Sequence, residues 1–189
     1  SEERSMILRM VRNAVKRGTD IVAGVRQYLA SGTTGSDLVD MNQVLEEAVE
    51  LTRPLWQAAR NISIVRQFHP VSRVQVSTND LRRAFTNLII NALEAMPGGG
   101  TLTVGCEQRD HSVVAFVADT GEGIPPERQK KIFLPYYTTK QSGTGLGLST
   151  AQRTMAAQRG RVSFESKVGK GTKFVVELPV QEEPLEKAA

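Results

Sequence analysis

Cysteine is almost missing from this chain: Cys106 is the single one among 189 residues. An internal disulfide is therefore excluded, and the usage fits a reducing compartment. Aromatic residues make up only 5%, which leaves little to build the stacking platforms that hold single-stranded nucleic acid. Neither sign of charge dominates, with 24 Lys and Arg against 20 Asp and Glu and a net charge of +4. The basic residues are interleaved with acids, whereas a nucleic-acid surface needs them clustered, so no nucleic-acid partner is expected. No apolar run approaches the roughly 18 residues of a membrane span, and no signal-peptide pattern opens the chain. No membrane contact is expected of these residues. Histidine occurs only at His69 and His111.

What is present begins with helical periodicity. Ile7, Val11, Ala14, Gly18, Ile21, Val25 and Tyr28 recur at spacings of four and three, and Leu8, Val15, Val22 and Leu29 add a second stripe. This is the face of a bundle helix over 3–30. Gly18 costs about 1 kcal/mol there against alanine, so the helix needs tertiary partners. The chain opens at Ser1 already in this pattern, which reads as a piece of something longer. Ser31-Gly-Thr-Thr-Gly-Ser36 is a breaker, so 1–34, 35–181 and the polar tail 182–189 read as separate units. The middle unit is expected to hold a short strand at 37–40 and a helix from Asn42 with Val44, Leu45, Ala48, Leu51 and Leu55 inward. A strand should follow at 62–68. A helix capped by Asn79 or Asp80 then runs to Met96, where Pro97-Gly-Gly-Gly100 stops it. Two hairpins follow, over 101–118 and 161–178, with a helix between them that Gly160 caps. Strands gathered in one sheet with helices on one face make a two-layer α/β sandwich, not the strict alternation of a doubly wound fold.

Three clusters carry chemistry. Asn87, Asn91 and Glu94 recur at i, i+4 and i+7 and share a helix face, beside a core face of Leu81, Phe85, Leu88, Ala92 and Met96. The two asparagines are either solvated or buried amides with partners to find. Asp119-Thr-Gly-Glu-Gly-Ile124 follows a strand directly, and period two sets Asp119 on the side of Val113, Ala115 and Val117. A carboxylate there can accept from an exocyclic amine, although the segment also reads as a plain turn. Gly143-Thr-Gly-Leu-Gly-Leu148 opens a helix, where free N–H groups can hold an anion such as polyphosphate. A Walker A loop is excluded because Leu148-Ser149 follows the last glycine, and a Rossmann turn because no strand precedes it.

In this order and spacing the clusters resemble the N, G1 and G2 boxes of sensor histidine kinases. Ile132-Phe-Leu-Pro-Tyr-Tyr-Thr-Thr-Lys140 resembles the F box of the nitrogen-sensor type, and Gly169-Lys-Gly-Thr172 with Phe174 and Leu178-Pro179 is similar to the last hairpin. The resemblance spans about 37–181 and implies the Bergerat ATP fold with ATP and Mg²⁺ as cofactors. It implies that Asn91 holds Mg²⁺, supported by Asn87, and that Asp119 binds the adenine amine. Gly121, Gly123 and Ile124 would line the adenine slot, with Thr172 close by. Thr138, Thr139 and Lys140, with Gly143, Thr144 and the amides of Gly145, Leu146, Gly147 and Leu148, would reach the phosphates. Phe133 would anchor a lid over 125–143 that orders over nucleotide, while Lys130 and Lys131 read as a solvated face.

Hydrolysing members of the fold carry a general-base glutamate where Asn87 stands. An amide cannot take a proton from water at neutral pH, so the resemblance implies a kinase rather than a Bergerat ATPase. An anti-sigma-type serine kinase and a dimerisation module with a dead site are the other readings weighed. Glu94 reads as a residue behind the site or in solvent. The family's acceptor histidine is followed directly by an acidic residue on the first helix of a hairpin. His69 precedes Pro70 and His111 precedes Ser112, so both read as structural and no catalytic side chain is assigned. Helix 3–30 resembles the second hairpin helix, with the first one absent. The implied partners are a second copy through the hairpin and a response regulator, in the cytoplasm. Thr150-Ala-Gln-Arg-Thr154 is more polar than the usual run, so looser packing is expected of that helix.

Overall fold

A computed structural model describes Val11, Val15, Gly18, Thr19 and Val22, then residues 36–58, 61–140 and 143–180. The first five are helical, and Val11, Val15 and Val22 are each more than half exposed. The rest of the helix expected over 3–30, the breaker before Ser36 and the tail 182–189 lie outside the described residues.

The elements run β1 (Asp37–Val39), α1 (Met41–Leu51), α2 (Arg53–Ala58), β2 (Ile62–Phe68), β3 (Val74–Val76), α3 (Thr78–Glu94), β4 (Gly100–Arg109), β5 (Ser112–Asp119), α4 (Pro126–Gln129), α5 (Gly147–Ala157), β6 (Arg161–Lys167) and β7 (Gly171–Pro179). Five strands form one sheet in the order β2-β4-β5-β7-β6, with β2 and β4 parallel and the other pairs antiparallel. β1 and β3 form a separate antiparallel pair. The expected two-layer sandwich is what is found.

Alternation fixes which side of the sheet is dry. Leu102, Val104 and Cys106 of β4, Val113, Ala115 and Val117 of β5, and Phe174, Val176 and Leu178 of β7 are all buried. They meet a helical layer in which α3 packs against both α1 and α5. α3 brings Leu81, Phe85, Leu88 and Ile89 to this core with no exposure at all. Each such side chain contributes about 1.5–3 kcal/mol by leaving water. Among the described residues no helix is long and apolar enough to cross a membrane.

Several local expectations are corrected. The cap of α3 is Ser77, whose side chain accepts from Asp80 N–H at 3.4 Å, rather than Asn79 or Asp80. The helix from Met41 does not run on to Leu55. It breaks at Thr52, just before Pro54, whose nitrogen has no hydrogen to give the preceding turn. Leu51 and Leu55 are consequently exposed. α5 ends on Arg159 at φ +59, whose N–H donates to Ala156 O, while Gly160 N–H reaches Met155 O at 2.8 Å. That is a Schellman ending with arginine in the left-handed position. Gly160 serves packing instead, since a Cβ there would lie 2.6 Å from Glu177 O. The polar run on α5 is not loose: Ser149, Thr150 and Thr154 are buried beside Ala151 and Met155.

Candidate functional site: a cavity between α3, the end of β5 and the start of α5

The cavity, about 290 Å³, opens where three glycine-rich connections leave the sheet and helices. α3 forms one wall. Its helical period aims Asn87, Asn91 and Glu94 into the cavity while Leu88 and Ala92 stay in the core. His69 and His111 take no part. They lie exposed away from the cavity, and their carbonyls accept from Asn42 Nδ2 and Val180 N–H.

Asp119 forms the inner end. It continues the buried series of β5 and is only 7% exposed. One carboxylate oxygen, Oδ1, accepts from the N–H of Gly121 at 2.8 Å and of Thr172 at 3.2 Å. Burial pushes its carboxyl above the usual range, and the nearby Glu122 charge adds to this. The two N–H donors pull the other way. A buried carboxylate with one oxygen fixed from behind is prepared to receive a donor on its other oxygen.

Backbones close around this end without room for Cβ atoms. A Cβ on Gly123, at φ +70, would lie 2.3 Å from Lys167 O, and one on Gly121 would lie 2.3 Å from Ala95 O. Gly123, Ile124 and Thr172 line the cavity. Gly121 stands behind Asp119 as an N–H donor rather than in the wall. Sequence reasoning missed the residue that ties this end together. Ser166 Oγ accepts from Ile124 N–H at 2.7 Å, donates to Gly171 O at 3.2 Å and lies 2.9 Å from Thr172 Oγ1. Gln129 of α4 adds a bond from its amide to Ile124 O.

The other end is open and carries Lys140. Thr138, Thr139, Lys140, Gly143, Thr144, Gly145, Gly147 and Leu148 all line it. Leu146 does not: its side chain is buried, and its carbonyl accepts from Ser149 Oγ. The first turn of α5 carries N–H groups with no acceptor inside the helix, facing the cavity beside Asn87. Such a terminus attracts anions. Gly145, at φ +67, lies against the Tyr136 carbonyl group, where a Cβ would come within 2.4 Å. Phe133 meets Phe164 edge-on at 5.8 Å, and Phe164 meets Phe174 at 5.9 Å, fastening 125–140 to the sheet. Lys130 and Lys131 are exposed. Lys140 Nζ donates to Asn91 Oδ1 at 2.9 Å and pairs with the Glu94 carboxylate. Among the described residues no three His, Cys, Asp or Glu side chains gather as a metal site.

A cavity with a carboxylate at its closed end and an anion-attracting helix start at its open end suits a nucleotide. The profile of the "Histidine kinase-, DNA gyrase B-, and HSP90-like ATPase" family matches residues 77–182. The chain is 38% identical over 145 residues to sporulation kinase C of Bacillus subtilis (strain 168), which covers 75% of this chain and 33% of that protein. It spans about a third of the length of the curated relatives it matches. The catalytic domain of histidine kinase ThkA superposes with a TM-score of 0.70 at 28% identity, over 77% of this chain and 96% of that one. Full-length ShkA in complex with AMPPNP superposes with a TM-score of 0.79 at 26% identity, over 100% of this chain and 41% of that one. The chain therefore belongs to the histidine kinase-, DNA gyrase B- and HSP90-like ATPases, as an ATP-binding catalytic domain of the sensor histidine kinase kind.

Proposed function

We propose that the cavity holds magnesium ATP with adenine against Asp119 and the phosphates along the start of α5, and that the chain presents the γ-phosphoryl group to a histidine on a hairpin rather than to water. The observation that carries this reading is the meeting of Asn91, Asp119, Thr172 and Gly147 around one cavity. The free oxygen of Asp119 would accept from the adenine amine, with Thr172 beside it. Gly123 and Ile124 would form the slot for the ring. Thr138, Thr139, Gly143, Thr144 and the N–H groups of Gly145, Leu146, Gly147 and Leu148 would bind phosphate oxygens.

The side chains fit Mg²⁺. Asn91 Oδ1 and the Glu94 carboxylate are hard oxygen donors, and they already stabilise a cation, the Lys140 ammonium. Few protein ligands suffice where phosphates supply the rest. Asn91 would hold the ion and Asn87 would support it. When bound, the ion would neutralise charge on the phosphates. Asn87 offers no base to activate water, which supports transfer to an external acceptor over hydrolysis.

In the whole protein the γ-phosphoryl group would pass to the hairpin histidine and then to an aspartate on a response regulator, in the cytoplasm. Residues 3–30 would pair with a second copy as part of that hairpin, and 35–181 would be the catalytic unit. Calorimetric titration with magnesium ATP tests the first step, with one site per chain expected. Radiolabelled ATP supplied with the histidine-bearing hairpin should give acid-labile phosphate on the hairpin and little free phosphate. Absence of binding would remove the reading. Steady phosphate release without an acceptor would replace it with a hydrolase.

A further inference from the structure

Glu94 lines the cavity beside Asn91. It stands at the last residue of α3, one helical turn beyond Asn91, with its side chain about half exposed. Across the cavity, Lys140 Nζ reaches both its carboxylate and Asn91 Oδ1. Two hydrogen bonds hold the Lys140 main chain. Thr138 Oγ1 accepts from Lys140 N–H at 3.1 Å, and Gly143 N–H donates to Lys140 O at 3.3 Å. A Cβ on Gly143 would lie 2.5 Å from Thr138 Oγ1. The ammonium thus sits between the two oxygen-bearing side chains that would face a metal ion, and 46 residues of chain separate it from Glu94.

We infer that Glu94 is a positioning and specificity-determining residue that makes nucleotide binding depend on the divalent cation. The inference rests on the reading of the cavity as a magnesium nucleotide site. Without the cation, two terms oppose a bare polyphosphate. The Glu94 carboxylate faces the phosphate tail and repels it, and Lys140 must leave its two partners to reach the phosphates. With magnesium present both terms change sign. Lys140 would give up Asn91 and Glu94, which would then hold the ion, and would turn to the phosphate oxygens as a point charge. Arg128 also lines the cavity but makes no ion pair with Glu94, so this carboxylate answers to Lys140 and the incoming cation alone among the described residues.

The test is the ratio of ATP affinities without and with Mg²⁺, measured by titration calorimetry on the full chain in EDTA and in excess Mg²⁺. Glu94→Gln should tighten binding of metal-free ATP by about five- to tenfold, the scale of losing one half-exposed charge pair and one repulsion. It should weaken magnesium ATP binding, because a carboxylate facing the ion is lost, so the ratio collapses toward one. Glu94→Lys should tighten metal-free ATP further. It places a cation where the carboxylate stood, and a melting curve beside each variant checks the fold. A residue that only shaped α3 would shift both affinities together. If the wild-type ratio survives in both variants, Glu94 has no such role even though the cavity binds nucleotide. If the wild-type chain binds ATP in neither buffer, the nucleotide reading falls and takes this inference with it.

Discussion

Thr172 and Asp119, 53 residues apart, are joined by a single bond from the Thr172 main-chain N–H to Asp119 Oδ1 at 3.2 Å. It links the start of β7 to the end of β5. With the Gly121 N–H on the same oxygen, it leaves Oδ2 as the acceptor turned toward the cavity. Recognition by a side chain therefore depends on two main-chain donors behind it. The surrounding glycines are what allow those donors to come so close.

Asp119→Asn should weaken adenine-nucleotide binding by about 1.5–3 kcal/mol, the loss of a charge-assisted hydrogen bond. The same change should stabilise the nucleotide-free chain. Burial raises the Asp119 carboxyl above its ordinary 3.8, so between 3.8 and the raised value the folded chain keeps a proton that the unfolded chain releases. Stability from this group is full below 3.8 and falls as pH rises through the raised folded value. Urea unfolding at pH 7 should show the asparagine variant more stable and less pH-dependent. Unchanged calorimetric affinity would remove Asp119 from adenine binding.

Ser166→Ala should strip Ile124 N–H of its 2.7 Å partner and release Gly171 O and Thr172 Oγ1. A half-buried donor left unpaired costs about 1–2 kcal/mol. The slot around Ile124 should loosen as well. Urea unfolding and nucleotide titration should both register the loss, although Ser166 need not touch the ligand. A change in stability with no change in affinity would make Ser166 structural only.

Gly171→Ala tests the backbone closure directly. At φ +97, its Cβ would lie 1.9 Å from Asp119 O, a main-chain atom that cannot swing aside. Strain of this kind costs about 1–3 kcal/mol before the clash is counted. We expect a lower melting temperature and lost nucleotide binding together. Gly169→Ala supplies the control, because no atom lies within 4 Å of its Cβ position and only its φ of +73 is strained.

The legible parts of this fold are those with a local cause. α3 announces itself through Leu81, Phe85, Leu88 and Ala92, and the two hairpins through alternation that ends at Asp110-His111 and Gly169-Lys170. The glycine clusters point to the cavity because the same spacing sets both their turns and their open walls. What escapes is long-range or too short to have a period. β3 is three residues and exists by pairing with β1. Ser77 competes for the cap with Thr78, Asn79 and Asp80, and geometry alone decides among four good candidates. Arg159 takes a left-handed turn that glycine usually fills, and the glycine one place later answers to the crowding at Glu177 O instead. Ser166 and the Lys140–Glu94 pair are visible only once strands and loops far apart in the chain have met.

Cys106 offers a reading of core integrity that no binding assay gives. Its thiol sits fully buried on the inner face of β4. Burial first, then the charges of Asp40 and Glu107, push it from an ordinary 9.0 up to about 12. A thiol that cannot ionise reacts slowly, so Ellman's reagent at pH 8 should leave the native chain unlabelled and modify one thiol per chain in 6 M guanidinium. The same shift sets an alkaline limit. The folded thiol keeps its proton while the unfolded thiol loses it, so stability from this group is intact below pH 9 and drains between 9 and 12. The loss is about 1.4 kcal/mol for each pH unit crossed. Cys106→Ala, one heavy atom smaller and without a titrating group, should flatten that part of the profile at some cost in core packing. Guanidinium unfolding from pH 8 to 10.5 on both proteins measures it. Equal slopes for the two would mean the thiol is more accessible than its place on β4 implies.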